Sequence, residues 1–262
     1  MAFWTFFGLA QGKASTKWPR SGDDDGQAGV LGMPRHDPAM CDPDCQACID
    51  VCPTAAITKG TGGHPLAIDY GRCIACQLCT EVCPTGAMQP SSDWAFGVRQ
   101  RDDLRLYAEP KAVSAPRGIG AFHRSLHVRH VDAGSDNGCE SELEALNNPF
   151  YNLHRLGIFF TPSPRAADLL LVTGAVTNAM LEPLKTTYAA MPEPRWVMAV
   201  GTDAVSGGIA EGGYACGHGV DGVVPVDLYL PGSPPNPAAI IEALLMFLDR
   251  MPQRAHGGRI VG

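Results

Sequence analysis

Basic residues are scarce in this chain: Lys and Arg number 20 against 27 Asp and Glu, leaving a net charge of −7 over 262 residues. No cationic tract of the kind that neutralises phosphates is present, which argues against nucleic acid as a partner. Long hydrophobic runs are missing too. The apolar stretch at residues 1–10 is too short to span a bilayer, and it lacks the charged head and cleavage site of a signal peptide. Neither Gly207-Gly208 nor Gly212-Gly213 opens a helix after a strand, so no phosphate-binding loop is read. What remains is a soluble composition, 45% hydrophobic and 18% charged, with length for two modest domains.

Cysteine is what the chain does have. Eight of the ten cysteines form two runs, each closed by Cys-Pro: Cys41, Cys45, Cys48, Cys52-Pro53 and Cys73, Cys76, Cys79, Cys83-Pro84. Gaps of two residues let three thiolates converge on one face of an inorganic cube, and soft sulfur selects iron–sulfur or zinc. The trailing Pro fixes φ and turns the chain after the last ligand. The spacing resembles that of two-cluster ferredoxins, in which the fourth Cys of each run serves the other cluster. That resemblance implies two [4Fe–4S] clusters, one on Cys41, Cys45, Cys48 and Cys83, the other on Cys73, Cys76, Cys79 and Cys52. The first run has one residue too many, because Asp42 stands where a thiolate is expected; a bulge at Pro43 would absorb it. Zinc ribbons use paired cysteines at similar gaps but do not usually come as two runs closed by Pro. A disulfide scaffold would need an oxidising compartment.

Four units are expected along the chain: a leader at 1–32, a 2[4Fe–4S] ferredoxin domain at 33–110, a linker at 111–120 and an α/β domain at 121–262. The leader's Trp4, Phe6, Phe7, Leu9 and Trp18 suit a membrane surface or a partner's groove, or packing on the chain's own domain. Within 33–110 the runs repeat with Pro-Thr-Ala-Ala-Ile and Pro-Thr-Gly-Ala-Met, and residues 64–70 read as a strand. From 121 strands and helices alternate: strands at 126–131, 157–160, 168–172, 196–200 and 223–230, and helices from near Cys139, over 177–190, and after Asn236-Pro237. The fold class expected is an α+β ferredoxin-like domain followed by a doubly wound, flavodoxin-like parallel sheet. In such sheets the working crevice lies beyond the strands' carboxyl ends, so the loops at 134–138, 201–208 and 231–235 should meet. His127, His130, His154 and His218 are read as structural or solvated. Cys216 is read as a lone thiol.

Those loops also carry a family likeness. The stretches 125–135, 147–151, 163–174, 191–196, 200–202, 224–227 and 230–232 resemble the small subunit of energy-converting, formate hydrogenlyase-type [NiFe] hydrogenases and the B-type (20 kDa) subunit of complex I. The first half, with Trp18-Pro19, resembles the ferredoxin subunit of the same complexes, so the chain looks like a fusion of the two. The resemblance implies a third [4Fe–4S] cluster on four cysteines in the three loops. Here those positions are Asp136, Cys139, Asp203 and Ser233. Three oxygen donors match iron–sulfide poorly, and the third cluster is expected to be absent. The four residues are left with a single metal ion, a hydrogen-bonded pocket or a proton route as alternatives.

The function this implies is an iron–sulfur electron-transfer subunit of a hydrogenase-like or complex I-like oxidoreductase, doing no bond chemistry itself. Its implied partners are a hydrogenase-type or complex I-type large subunit and membrane ion-translocating subunits. It would sit in the cytoplasm, peripheral on the membrane's cytoplasmic face. The alternative is a structural or coupling subunit whose α/β half serves assembly without carrying electrons.

Overall fold

The structure is a computed structural model that describes residues 30–106, 119, 124–255 and 259–260, with Phe6 and Ala10. The expectations for Trp4, Phe7, Leu9 and Trp18, and for most of the linker, lie outside these residues. No described helix is long and apolar enough to cross a membrane.

The first half is built from short pieces, as its Gly, Pro and Cys content dictates. In chain order they are β1 (Arg35–His36), α1 (Ala47–Asp50), β2 (Ile57–Lys59), β3 (Leu66–Asp69), α2 (Leu78–Glu81), β4 (Met88–Gln89) and β5 (Arg105–Leu106). β1 pairs antiparallel with β4, and β2-β3-β5 form a second antiparallel sheet with Ile57 opposite Ile68. Alternation along β3 turns Leu66 and Ile68 inward onto Tyr70, Phe96 and Leu104. Asp69 receives Arg101 through two hydrogen bonds of 2.8 and 2.9 Å, which ties β3 to the segment before β5.

The second half holds β6 (Leu126–Asp132), α3 (Gly138–Ala145), β7 (Ile158–Phe160), β8 (Leu169–Thr173), α4 (Leu181–Ala189), β9 (Trp196–Val200), α5 (Thr202–Ser206), β10 (Leu228–Leu230) and α6 (Pro237–Phe247). Its five strands pair in parallel in the order β7-β6-β8-β9-β10. β8 and β9 are buried along their whole length, which is why they read as unbroken apolar runs. Leu169, Leu171, Trp196 and Met198 face Leu143, Leu146 and the side chains of α6. Leu170, Val172, Val197 and Ala199 face Leu184 of α4 and Ala204 and Val205 of α5. Helices therefore cover both faces.

Three elements differ from the sequence expectation. The strand expected over 223–230 is confined to Leu228–Leu230: Val223 and Val224 donate back to the Val220 carbonyl, and Pro225 has no N–H for a ladder. The helix expected over 177–190 begins at Leu181, because Thr177 donates instead to Ala133 O (2.8 Å) and bridges to Cys216. α6 has the expected cap, with Asn236 Oδ1 accepting from Ala239 N–H at 2.7 Å, but all eleven of its residues are buried rather than one stripe.

A strap from the first half, residues 94–99, covers the outer side of α6 and the edge of β10. Val98 and Tyr229 exchange N–H···O bonds of 2.9 and 2.8 Å, closing the free edge of β10. Gly97 lies so close to α6 that a Cβ there would be 2.8 Å from Ala243 Cβ. Arg99 donates to the last-turn carbonyls of Met246 (2.8 Å) and Phe247 (3.3 Å) and pairs with Asp249. Trp94 and Ala95 sit in the second half's core.

Candidate metal centres

Each cysteine run wraps a single helical turn that carries its third thiol inward. Cys48 on α1 and Cys79 on α2 are both buried. Turning the chain this tightly requires left-handed residues: Ala75 has φ 54° and Gln77 φ 64°, and the Gln77 amide donates to Gly32 O at 2.9 Å to hold that conformation. The extra residue of the first run lies in a tight turn around Pro43. Cys45 N–H closes a turn onto Asp42 O (3.2 Å), and Asp42 Oδ1 accepts from Asp44 N–H (3.0 Å).

Two cavities result. One is lined by Cys41, Cys45, Cys48 and Cys83 with Leu66 and Met88; the other by Cys52, Cys73, Cys76 and Cys79 with Ile57, Ile68 and Ile74. Each therefore gathers three thiols of one run and the last thiol of the other. Among the described residues no three His, Cys, Asp or Glu side chains surround a point where one metal ion would sit. The thiols are arrayed around a space, and four soft donors in an apolar wall suit a cubane.

The apolar walls set the thiol chemistry. Burial pushes Cys73 and Cys79 up to about 12 and Cys48 up to about 11. Burial also pushes Cys83 up, but hydrogen bonds from the Met88 N–H, Thr85 and the Ala87 N–H outweigh it and hold Cys83 below the ordinary thiol value. Ala56 N–H reaches Cys52 Sγ at 3.3 Å, Ala75 N–H reaches Cys73 Sγ at 3.4 Å and Met88 N–H reaches Cys83 Sγ at 3.4 Å. Such N–H···S bonds stabilise thiolate character and tune cluster potentials.

The three strand-end loops of the second half converge. Cys139, buried on the first turn of α3, lies against Gly201 so tightly that a Cβ there would come within 2.6 Å of its Sγ. Gly138 lies against Pro234, so the 231–235 loop completes the group, while Ser233 itself is exposed. Asp136 Oδ1 accepts from Gly138 N–H at 2.8 Å. Burial, then the carboxylates of Glu140, Asp203 and Asp136, push Cys139 up to about 12. The donor set is one thiol, two carboxylates and one hydroxyl. Asp203 is raised by burial and then by Asp136. The folded protein therefore keeps the Asp203 proton to higher pH than the unfolded chain does, and stability falls as pH rises through the raised value. Asp203→Asn is expected to raise the melting temperature at neutral pH, the gain shrinking as pH falls from the raised value and vanishing below about pH 4, where Asp203 is protonated in both states. An equal gain at all pH values would show that ionisation is not the cause.

Sequence reasoning missed the residues that join these places. Thr202, 1% exposed, donates from Oγ1 to Cys73 O at 2.8 Å and accepts from Gly232 N–H at 3.2 Å, so one hydroxyl links the second cavity to the strand ends. Arg72 donates to Thr54 O and makes a two-nitrogen pair with Glu211, which also meets His218 at 3.2 Å. Lys59 Nζ donates to Pro43 O (2.7 Å) and Cys45 O (3.0 Å), pinning the first-run loop. Beside Cys139, Thr173 bridges His130 (2.9 Å) and Glu140, and Glu140 accepts from Ser135 Oγ at 2.6 Å. Their sequence neighbours carry no signal for any of this. Thr202→Val keeps the shape but leaves Cys73 O and Gly232 N–H without this partner; a loss of about 1–3 kcal/mol is expected, read by denaturant unfolding. A loss no larger than that of Thr186→Val, at an exposed helical site, would remove Thr202 from this role.

Residues 137–247 match the family model described as NADH ubiquinone oxidoreductase, 20 Kd subunit, and residues 37–87 match the 4Fe-4S dicluster domain. The chain is 44% identical over 133 residues to formate hydrogenlyase subunit 7 of Escherichia coli K12, covering 51% of this chain and 52% of that protein, so it spans about half that relative's length. It is 49% identical over 122 residues to an uncharacterised protein of Methanocaldococcus jannaschii, covering 47% of this chain and 82% of that protein. A chain in the structure of a membrane-bound sulfane sulfur reductase, an archaeal respiratory membrane complex, is 34% identical with a TM-score of 0.44, covering 49% of this chain and 71% of that one.

Proposed function

Because the chain belongs to the family of the NADH ubiquinone oxidoreductase 20 Kd subunit and carries a 4Fe-4S dicluster domain, we infer that it is an electron-transfer subunit with two [4Fe–4S] clusters. Its host is a membrane-associated, hydrogenase-like or complex I-like oxidoreductase. The observation that carries this is the crossing of the two runs: each cavity draws its fourth thiol from the other run. Cys41, Cys45, Cys48 and Cys83 hold one cluster, and Cys73, Cys76, Cys79 and Cys52 the other. Such clusters, when bound, exchange single electrons at potentials set by their surroundings.

The protein's own work is positional. Lys59 fixes the first-run loop, Gln77 fixes the second, and the N–H groups of Ala56, Ala75 and Met88 stabilise thiolate charge. Thr202 and the Arg72–Glu211 pair hold the second cavity against the strand ends. The units are read as 33–110 and 121–262, and the sheet order β7-β6-β8-β9-β10, second-first-third-fourth-fifth, supports a flavodoxin-like description of the latter. The α/β unit is the part that docks a hydrogenase-type or complex I-type large subunit, with membrane ion-translocating subunits beyond it. In this reading the chain lies peripherally on the cytoplasmic face of the membrane.

Asp136, Cys139, Asp203 and Ser233 do not fit a third cluster, since a single soft donor stands among oxygens. That donor set also favours a second reading, in which the α/β half couples or assembles the complex and electrons stop at the first half. Iron and acid-labile sulfide analysis of anaerobically purified protein, with EPR after dithionite reduction, tests both points. About 8 Fe per chain and two interacting signals are expected. About 12 Fe would restore the third cluster, and an iron-free sample would end the reading.

A further inference from the structure

At the end of the sheet opposite the three loops lies an open cavity of about 590 Å³ that the electron-transfer reading does not use. It sits at the amino ends of β6 and β7, just past the carboxyl end of α6. Arg124, His154, Arg155 and Arg250 form its wall, with the backbone of Leu156 and Gly157 as its floor. Among the described residues one acid, Asp249, reaches it, and that carboxylate is already paired with Arg99. A chain with a net charge of −7 thus gathers three guanidinium groups and an imidazole around one cavity.

The wall is built, not incidental. Gly157 has φ 79°, and a Cβ there would be 2.1 Å from Arg124 O, so only glycine lets the Arg124 backbone close on the floor. Arg250 is held from two sides: its N–H donates to Leu245 O (2.8 Å) and its Nη1 to Leu156 O (2.5 Å). With one nitrogen so engaged, further N–H donors of the fork remain for a ligand. His154 is oriented by stacking on Phe159, ring centroids 5.4 Å apart. Planar guanidinium forks match the oxygens of a tetrahedral phosphate and bind it in two-point fashion. The space is in the range of small-molecule sites and exceeds what a bare phosphate ion fills.

We propose that this cavity is a binding site for a phosphate group carried on a larger organic molecule, with Arg124, Arg155 and Arg250 as the phosphate-contacting residues. A phospholipid headgroup and a soluble phosphate ester share that chemistry. The proposal is independent of the cluster assignment, because no cysteine lies in this wall.

The test uses the anaerobically purified full chain. Binding of glycerol 3-phosphate is measured by calorimetry, and flotation is measured on phosphatidylcholine vesicles with and without phosphatidylglycerol. Arg124→Gln/Arg155→Gln removes two contacts while leaving Arg250 in its structural bonds. Arg165→Gln/Lys185→Gln, at exposed positions elsewhere, removes the same charge. Unchanged thermal melting certifies both folds. The expected result is binding by the wild type and the control pair that weakens about tenfold or more in the Arg124/Arg155 pair. Glycerol 3-phosphate without vesicles identifies a soluble ester as the source; anionic vesicles without glycerol 3-phosphate identify a headgroup. Binding to neither probe, or equal weakening in both variant pairs, overturns the site.

Discussion

Cys52→Ala should lose the same cluster signal as Cys76→Ala, although the two residues belong to different runs. Cys83→Ala should instead group with Cys45→Ala. The reason is the wall each thiol shares: Cys52 with Cys73, Cys76 and Cys79, and Cys83 with Cys41, Cys45 and Cys48. Each substitution leaves three thiols around one space and four around the other. Iron should fall from about eight to about four per chain, and the EPR spectrum of the reduced protein should keep one signal of the two. Cys76 is the cleanest position, since its side chain is exposed and its removal leaves no core void. If Cys52→Ala and Cys45→Ala abolish the same signal, the runs are not crossed and the pairing of thiols to cavities is wrong.

Gly201→Ala should be among the most damaging single changes in the second half. Gly201 has φ 90° and ψ 152°, a region that residues with a Cβ scarcely enter, at a cost of about 1–3 kcal/mol. The new methyl would also come within 2.6 Å of Cys139 Sγ, which has no room to yield in a buried site. The two penalties separate experimentally. Adding Cys139→Ala to Gly201→Ala removes the clash but not the backbone strain, so the double variant should recover part of the lost stability. Full recovery would assign the whole effect to the clash. No recovery would assign it to the backbone.

What the sequence disclosed, and what it withheld, divides along physical lines. The eight cysteines were readable because ligand spacing is local: the left-handed bends at Ala75 and Gln77, running into the single turn of α2, bring Cys73, Cys76 and Cys79 to one wall. The apolar runs at 168–172 and 196–200 were readable because strands buried on both faces have no polar side. The Asn236-Pro237 start of α6 was readable because a cap is a contact three residues long. By contrast, Thr202 serves a carbonyl 129 residues away, and nothing around it in the chain marks that. The first helical turn expected at 177–180 was lost to a backbone bond with Ala133, a tertiary contact that outweighs propensity. α6 reads as an amphipathic stripe and is buried all round, because its outer covering comes from residues 94–98 in the other half.

That strap has a bearing on any attempt to take the protein apart. Cutting between the two cysteine-rich and sheet-bearing halves would strip β10 of its antiparallel neighbour and bare the outer side of an eleven-residue apolar helix. The severed α/β piece would offer an open edge and a greasy face to its own copies, inviting self-association rather than an independent module. The union of a dicluster region and a 20 Kd-subunit-type region in one chain is thus matched by interlocked folding, and the distance between the second thiol cavity and the strand ends does not vary with dilution.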